Sequence, residues 1–380
     1  MPRTVSELLP RPFDELELAD IEPIAEARGE ERETLFLELK ESLDGAGIAK
    51  ACAAFANTIG GLLIVGVADD GTYPGIERPA GEPQLWVKDV LRSRVLPLPP
   101  YTARWLPLAD GDDRGLLLIL VEESSTTPHL PLDRGAIYVR NPGSSDPVPI
   151  QDQQRLLDLL RRGRQAQADA VARARALSIA RGPEHRDLER LALVPTGTAA
   201  TYSTRLFGPR GPELVRAALA AAYGELVPEG RVARGERGPI FRQHSVSHEV
   251  RREGRIEPRL DSVTAYGDGA VVLDSGYALG YEGGLLREQL EERFRRALAA
   301  GRELILELGG HGDLRIAATF DLRQVERVLW DNQGRRISLG DLVVVECWAN
   351  VEPNEQSDDA VVADVFAELG RAGGIGPGQL

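Results

Sequence analysis

Lysine is almost missing from this 380-residue chain: of its 45 basic side chains only Lys40, Lys50 and Lys88 are lysines, and the rest are arginines. Where any cation would serve, the sequence uses arginine, so a lysine marks a place that wants a compact, adjustable ammonium. Cysteine is scarcer still. Cys52 and Cys347 alone exclude a disulfide framework and a four-cysteine zinc site, and they point to a reducing cytoplasm. No apolar run reaches the roughly 18 residues that a membrane-spanning helix needs. "MPRTVSELLPRPFDELELAD" has scattered acids and no apolar core, so it does not read as a signal peptide.

Positive charge is also short, and most of the deficit lies in one place. Residues 1–150 hold 14 Lys and Arg against 25 Asp and Glu, a balance of −11 out of a total of −14. Nucleic-acid binders ordinarily carry a basic surface, because phosphate contacts supply most of the affinity. Any such role here must rest on a local basic patch or on a groove between two copies.

What is present organises into an α/β (α+β) chain. Residues 1–29 read as an acidic, proline-punctuated arm with one short helix. In "ETLFLELKES" (33–42), Leu35, Leu37 and Leu39 share one strand face, and Phe36, Glu38 and Lys40 the other. "GAGIAKACAAFANTIGG" follows as a helix with Ile48, Cys52, Phe55 and Ile59 on one stripe and a glycine stop at Gly60 and Gly61. "LLIVGV" and "GLLLILVEES" read as strands buried on both faces, with "LWVKDVLRSRV" as a helix between them and "GAIYVRNPGSS" as a last strand and loop. This α/β sandwich occupies 30–150. An arginine-rich connecting helix spans 151–182, with a break expected at Gly163. An α+β domain fills 183–370, with a helix at "LLREQLEERFRRALAAG" and strands at "RELILEL", "LRIAATF" and "DLVVVECW". Residues 371–380 form a flexible tail, with fraying expected from "LGRAGG" onward.

One constellation carries chemistry. Glu38 and Lys40, two apart on a strand, point to one side. A carboxylate with a lysine two residues on suits metal-dependent phosphodiester hydrolysis, in which the acid holds Mg²⁺ or Mn²⁺ and the lysine orients water or phosphate. Glu33 is an odd number of residues away and joins them only if the chain bends near Thr34. Asp69, or Asp70 in its place, ends the next buried strand and could supply another carboxylate. The alternative is that "DDG" is a turn.

Three blocks then resemble the Schlafen AlbA-like domain family: "ETLFLELKES", "AFANTIGGLLIVGVADDGTYPGIE" and "GAIYVRNPGSS", spread over residues 33–145 in the family's order. The first departs from the family pattern at Thr34 and Leu39, and the third has Asn-Pro before its glycine. The resemblance implies an AlbA-like sandwich. It also implies, by analogy with the vertebrate Schlafens, an endoribonuclease acting on tRNA and rRNA, with Glu33, Glu38 and Asp69 as catalytic and metal-binding acids. Those enzymes build a horseshoe from two lobes, so one lobe here implies a homodimer. Bacterial members are described as DNA-binding or ATP-binding domains.

On that reading Lys40 steadies the scissile phosphate or the water. Lys50, Arg140, Ser144, Ser145 and the helix arginines Arg161, Arg162 and Arg164 hold the nucleic acid, RNA before DNA. The competing reading is a non-catalytic nucleic-acid-binding regulator or defence component, its acids paired with Lys40 and arginines and its second domain sensing a ligand. A nucleotide-binding protein is the third, although no Gly-x4-Gly-Lys-Ser/Thr loop occurs for ATP. Asn57 reads as a helix cap. His244 and His248, four apart on a strand, would share a face, with no third metal ligand evident.

Overall fold

The computed structural model describes residues 9–11, 13–26, 35–68, 70–109, 113–141, 146–179, 189–198, 202–224, 228–235, 238–252, 255–275, 284–321, 327–329, 336–337, 342–351 and 358–373. Within 228–260, 284–286 and 327–337 it describes the backbone alone. The chain divides into two units, Met1–Ala166 and Gln167–Leu380.

The first unit opens with a 3-10 turn at Phe13–Glu15 and helix α1 (Leu18–Glu26), then β1 (Leu37–Lys40), α2 (Gly45–Ala56), β2 (Gly61–Val65) and β3 (Ile76–Glu77). Next come α3 (Pro83–Arg94), β4 (Val95–Leu96), β5 (Tyr101–Pro107) and β6 (Arg114–Val121). The short strands β7 (Leu130–Pro131), β8 (Tyr138–Val139) and β9 (Val148–Pro149) precede α4 (Gln153–Ile179), within which the two units divide. The main sheet is mixed: β1 is parallel to β2, β2 is antiparallel to β6, and β3 and β5 both pair with β6.

Strand alternation sorts this sheet's side chains into two cores. Leu63, Val65, Leu117 and Ile119 pack against α2 and α3. Leu37, Leu62, Ile64 and Leu118 face the other way, against Phe13, Leu16 and Ile21. The described residues Phe13, Leu16 and Ile21 thus cover the second face of the sheet, in keeping with the burial of every β2 residue.

Helix α4 is continuous through Gly163. A Cβ at that position would lie 2.1 Å from the Thr127 carbonyl oxygen, and the Thr127 hydroxyl donates to the Leu159 carbonyl at 2.8 Å. The glycine allows a close backbone approach, which is why it does not break the helix. Gly163→Ala is therefore expected to destabilise the first unit by about 2 kcal/mol although alanine is the better helix former. Denaturant titration checks this, and a variant as stable as the parent would refute it.

The second unit runs β10 (Glu189–Thr198), α5 (Tyr202–Phe207), α6 (Gly211–Tyr223), β11 (Pro228–Gly235), β12 (Gly238–Arg252), β13 (Arg255–Tyr266), β14 (Val271–Ser275), β15 (Gly284–Leu286) and α7 (Arg287–Leu308). It continues with β16 (Gly310–Asp321), β17 (Arg327–Leu329), β18 (Arg336–Ile337), β19 (Leu342–Asn350) and α8 (Asp358–Ala372). Seven strands form an antiparallel sheet in the order β11-β12-β13-β14-β10-β16-β19. One face packs on α6, α7 and α8, where the rings of Phe294, Phe320 and Phe366 meet with centroids 5.9 to 6.3 Å apart. The other face receives Ala170, Ala174 and Leu177 of α4.

Two expectations are corrected here. "RELILEL" is the end of α7, not a strand, because Leu290, Phe294, Ala297, Leu298, Gly301, Leu304, Ile305 and Leu308 continue one buried helical stripe. Gly301 again permits close packing: a Cβ there would lie 2.4 Å from Leu193 Cδ1. The supposed fraying from Leu369 falls on α8, which buries Leu369 completely. His244 and His248 lie on β12, where the backbone alone is described, so the expectation that they share a face falls outside the described side chains.

Candidate functional site

β1, α2 and β8 bring a set of charges together. Glu38 points to the α2 side of β1 and is only 2% exposed. One carboxylate oxygen takes Lys40 Nζ at 2.9 Å, and the other takes Arg140 Nη1 at 2.7 Å. Arg140 is fully buried. Its Nη2 donates to the Leu37 carbonyl at 3.2 Å, and its guanidinium lies 5.1 Å from the centre of the Phe55 ring. A buried carboxylate is tolerable on these terms, since each oxygen meets an opposite charge and the arginine face rests on an aromatic ring.

The register of β8 against α2 is set by Asn57, the residue that caps α2. Its Nδ2 donates to the carbonyls of His129 at 2.8 Å and Tyr138 at 2.9 Å, while the His129 N–H donates to its Oδ1 at 2.7 Å. One residue on, the Thr58 hydroxyl accepts from the Arg140 N–H at 2.9 Å. The cap expected at Asn57 is present, and its side chain also latches two distant loops. Behind this latch Cys52 is buried. Burial first, and then the Glu38 carboxylate, hold its thiol well above the usual range against the opposing pull of Lys40, so it stays protonated.

Toward solvent the same face carries two lysines. Asp44 caps α2 by accepting from Ala46 N and Gly47 N at 3.1 and 3.0 Å. A Cβ on Gly47 would lie 3.3 Å from Lys40 Cε, so the bare backbone lets Lys40 lie across the first turn of the helix. One turn further, Lys50 Nζ sits 5.5 Å from the centre of the Tyr138 ring and 3.6 Å from Asp146 Oδ1. Both lysine side chains are 23% exposed.

This helix–strand frame, from the turn before β1 to the end of β9, matches the family model described as Schlafen, AlbA_2 over residues 33–149. Residues 33–149 are a Schlafen AlbA_2 domain. No curated protein matches the chain. The rest of the chain carries no family assignment.

Within the AlbA_2 domain the expected site residues fall in different places. Glu33, Asp69, Ser144 and Ser145 lie outside the described residues. Leu35 and Phe36 form a turn immediately before β1, while Thr34, where Glu33 requires a bend, lies outside the described residues. Asp70 is exposed, and its Oδ1 accepts from Thr72 N at 2.9 Å and Thr72 Oγ1 at 2.6 Å, beside Gly71 at φ +89°. That is the turn chemistry weighed for "DDG".

Arg161, Arg162 and Arg164 are exposed on the first half of α4. Arg161 meets Asp158 at 3.3 Å, and Arg162 meets Glu123 at 2.6 Å. Arg155 spends its guanidinium on Asn141 Oδ1 and the Arg140 carbonyl, at 2.5 and 3.1 Å. Sequence reasoning missed Tyr138 and Asp146. Tyr138 was detectable, because it stands two residues before Arg140 and so shares its strand face.

The family implies a divalent cation held by three acids. Among the described residues no group of three His, Cys, Asp or Glu side chains converges. Glu38 is the one member of the implied trio that is described. Both of its oxygens face cationic nitrogens within 2.9 Å, whereas a hard dication needs carboxylate oxygens whose charge is not already neutralised. Among the described residues no helix is long and apolar enough to cross a membrane.

Proposed function

We propose that the AlbA_2 domain binds single-stranded nucleic acid, RNA in preference to DNA, on the face built from β1, α2 and β8, and that Glu38 is its internal anchor. The observation that carries this reading is Lys50, whose ammonium sits 5.5 Å from the centre of the half-buried Tyr138 ring, with Lys40 of β1 lying across the first turn of the same helix. Two of the chain's three lysines thus lie at one helix, and one of them meets an aromatic ring there. Ammonium groups for phosphates beside a ring for a base are the elements of single-strand recognition. Beneath them the buried pair of Glu38 and Arg140 fixes the floor. The acidic balance of the unit confines attraction to this patch.

The preference for RNA and an association into homodimers rest on the resemblance to two-lobed Schlafen enzymes. Schlafen-type cleavage, with Mn²⁺ or Mg²⁺ at Glu33, Glu38 and Asp69, is the second reading. The turn at Leu35 and Phe36 favours it, and the occupied oxygens of Glu38 weigh against it.

Fluorescence anisotropy with labelled single-stranded RNA, single-stranded DNA and duplex, over a salt series, tests the proposal. Binding is expected to weaken with salt, and Lys50→Gln to reduce the slope of log K against log salt by about one. Absence of salt-dependent binding would refute it. Cleavage of tRNA that requires Mn²⁺, and that a folded Glu38 variant lacks, would replace it with the nuclease reading.

A further inference from the structure

We propose that Asp146 is a built-in competitor for the phosphate that Lys50 binds. The inference rests on the nucleic-acid reading and names the residue that regulates affinity at that site. Lys50 is the only charged side chain within α2, among "GAGIAKACAAFA", and most of its neighbours on the helix are buried. It is seated from two directions: the Tyr138 ring lies beneath its ammonium at 5.5 Å, and Asp146 Oδ1 stands beside it at 3.6 Å. The two contacts differ in kind. The ring belongs to β8, which Asn57 holds in place through the Tyr138 carbonyl. The carboxylate is long-range for an ion pair, and its side chain is 79% exposed.

Exposed pairs of this geometry are worth at most about 1 kcal/mol, so an incoming phosphate, with the same sign of charge and more acceptor oxygens, can displace Asp146. Lys50 need not move, because the ring keeps it in place. Glu38 cannot play the same part. It is buried and clamped on both oxygens, so of the two carboxylates seen to pair with the site lysines among the described residues, Asp146 is the displaceable one. In the free chain the ammonium is thus masked. A ligand with a single phosphate gains little from unmasking it, and a polymer that also reaches Lys40 gains more.

The experiment is anisotropy titration of the full chain with a labelled oligouridylate of about 12 nucleotides, long enough for one single-strand site. Asp146→Asn is compared with Asp113→Asn, an exposed carboxylate in the same unit that does not pair with Lys50. Asp146→Asn is expected to tighten binding three- to fivefold, up to the ~1 kcal/mol equivalent of the lost pair. Asp113→Asn should stay near the parent, and both should melt as the parent does. In a Lys50→Gln background Asp146→Asn should do nothing. Equal effects of the two aspartate variants, or a gain that survives without Lys50, would overturn this inference while leaving nucleic-acid binding intact. Failure of the parent chain to bind the oligonucleotide at low salt would overturn both.

Discussion

Replacing Glu38 with alanine is expected to cost the first unit about 3–5 kcal/mol, because Arg140 is then left buried without its counter-charge. At roughly 2–4 °C per kcal/mol for a unit of this size, the first thermal transition should fall by about 6–20 °C. Lys40 adds little to that loss, since its ammonium reaches water. The consequence for function is direct: loss of activity in a Glu38→Ala protein would report unfolding as readily as lost catalysis. A second variant separates the two. Glu38→Leu combined with Arg140→Met removes both buried charges at similar volume, and such exchanges are often neutral or stabilising. The double variant is therefore expected to melt near the parent and, under the proposed function, to retain nucleic-acid binding through Lys50. A single Glu38→Ala protein that melts within a degree or two of the parent would show that the pair anchors nothing. A stable double variant that no longer binds RNA would give Glu38 or Arg140 a direct part in recognition.

The sequence made the strands legible where one period ruled. β1 shows its two faces in Leu37 and Leu39 against Glu38 and Lys40. β2 shows its double burial as an unbroken apolar run, and α2 its stripe through Ile48, Cys52 and Phe55. Where it misled, the deciding partner lay far along the chain. Gly163 and Gly301 read as helix stops, yet each is a point of close approach, to Thr127 in one case and Leu193 in the other. Nothing local distinguishes a glycine that ends a helix from one that lets a neighbour come near. Phe13, Leu16 and Ile21 were too thinly spread among acids to announce a sheet-covering layer. α8 was different. Its Val361, Val362, Val365, Phe366 and Leu369 carry a plain helical period that the glycine-rich tail beside it obscures. At the site, spacing put Glu38 and Lys40 on one side of a strand. It could not show that Arg140, 102 residues on, completes the set and takes the carboxylate's second oxygen. That one contact is what the proposed anchor role of Glu38 rests on.

Acid should open the first unit through His129, by an amount comparable to many single core substitutions. His129 is fully buried, and its Nδ1 lies 2.7 Å from the Pro97 carbonyl oxygen. A carbonyl only accepts, so the proton sits on Nδ1. Nε2 is buried with no hydrogen-bond partner among the described residues. Burial pulls the imidazole down to about 4, and the Pro97 contact only partly opposes it. The folded value lies below the unfolded one, near 6.5, so between those values the unfolded chain binds the extra proton. Stability is then complete above about pH 6.5, declines as pH falls toward 4, and loses about 3 kcal/mol over that window. The place where the charge would form matters, because the His129 backbone is gripped on both sides by Asn57. That grip also holds Tyr138 and, through the neighbouring Thr58, the Arg140 backbone. Protonation should therefore loosen the β8 side of the site together with the fold, and nucleic-acid binding should fade over the same pH range. Urea titrations of the full chain at several pH values read the first quantity, and anisotropy at constant ionic strength reads the second. His129→Gln should flatten the stability profile between pH 6.5 and 4 even if it lowers the plateau. A parent chain equally stable at both ends of that window would mean that the histidine finds a partner for its charge.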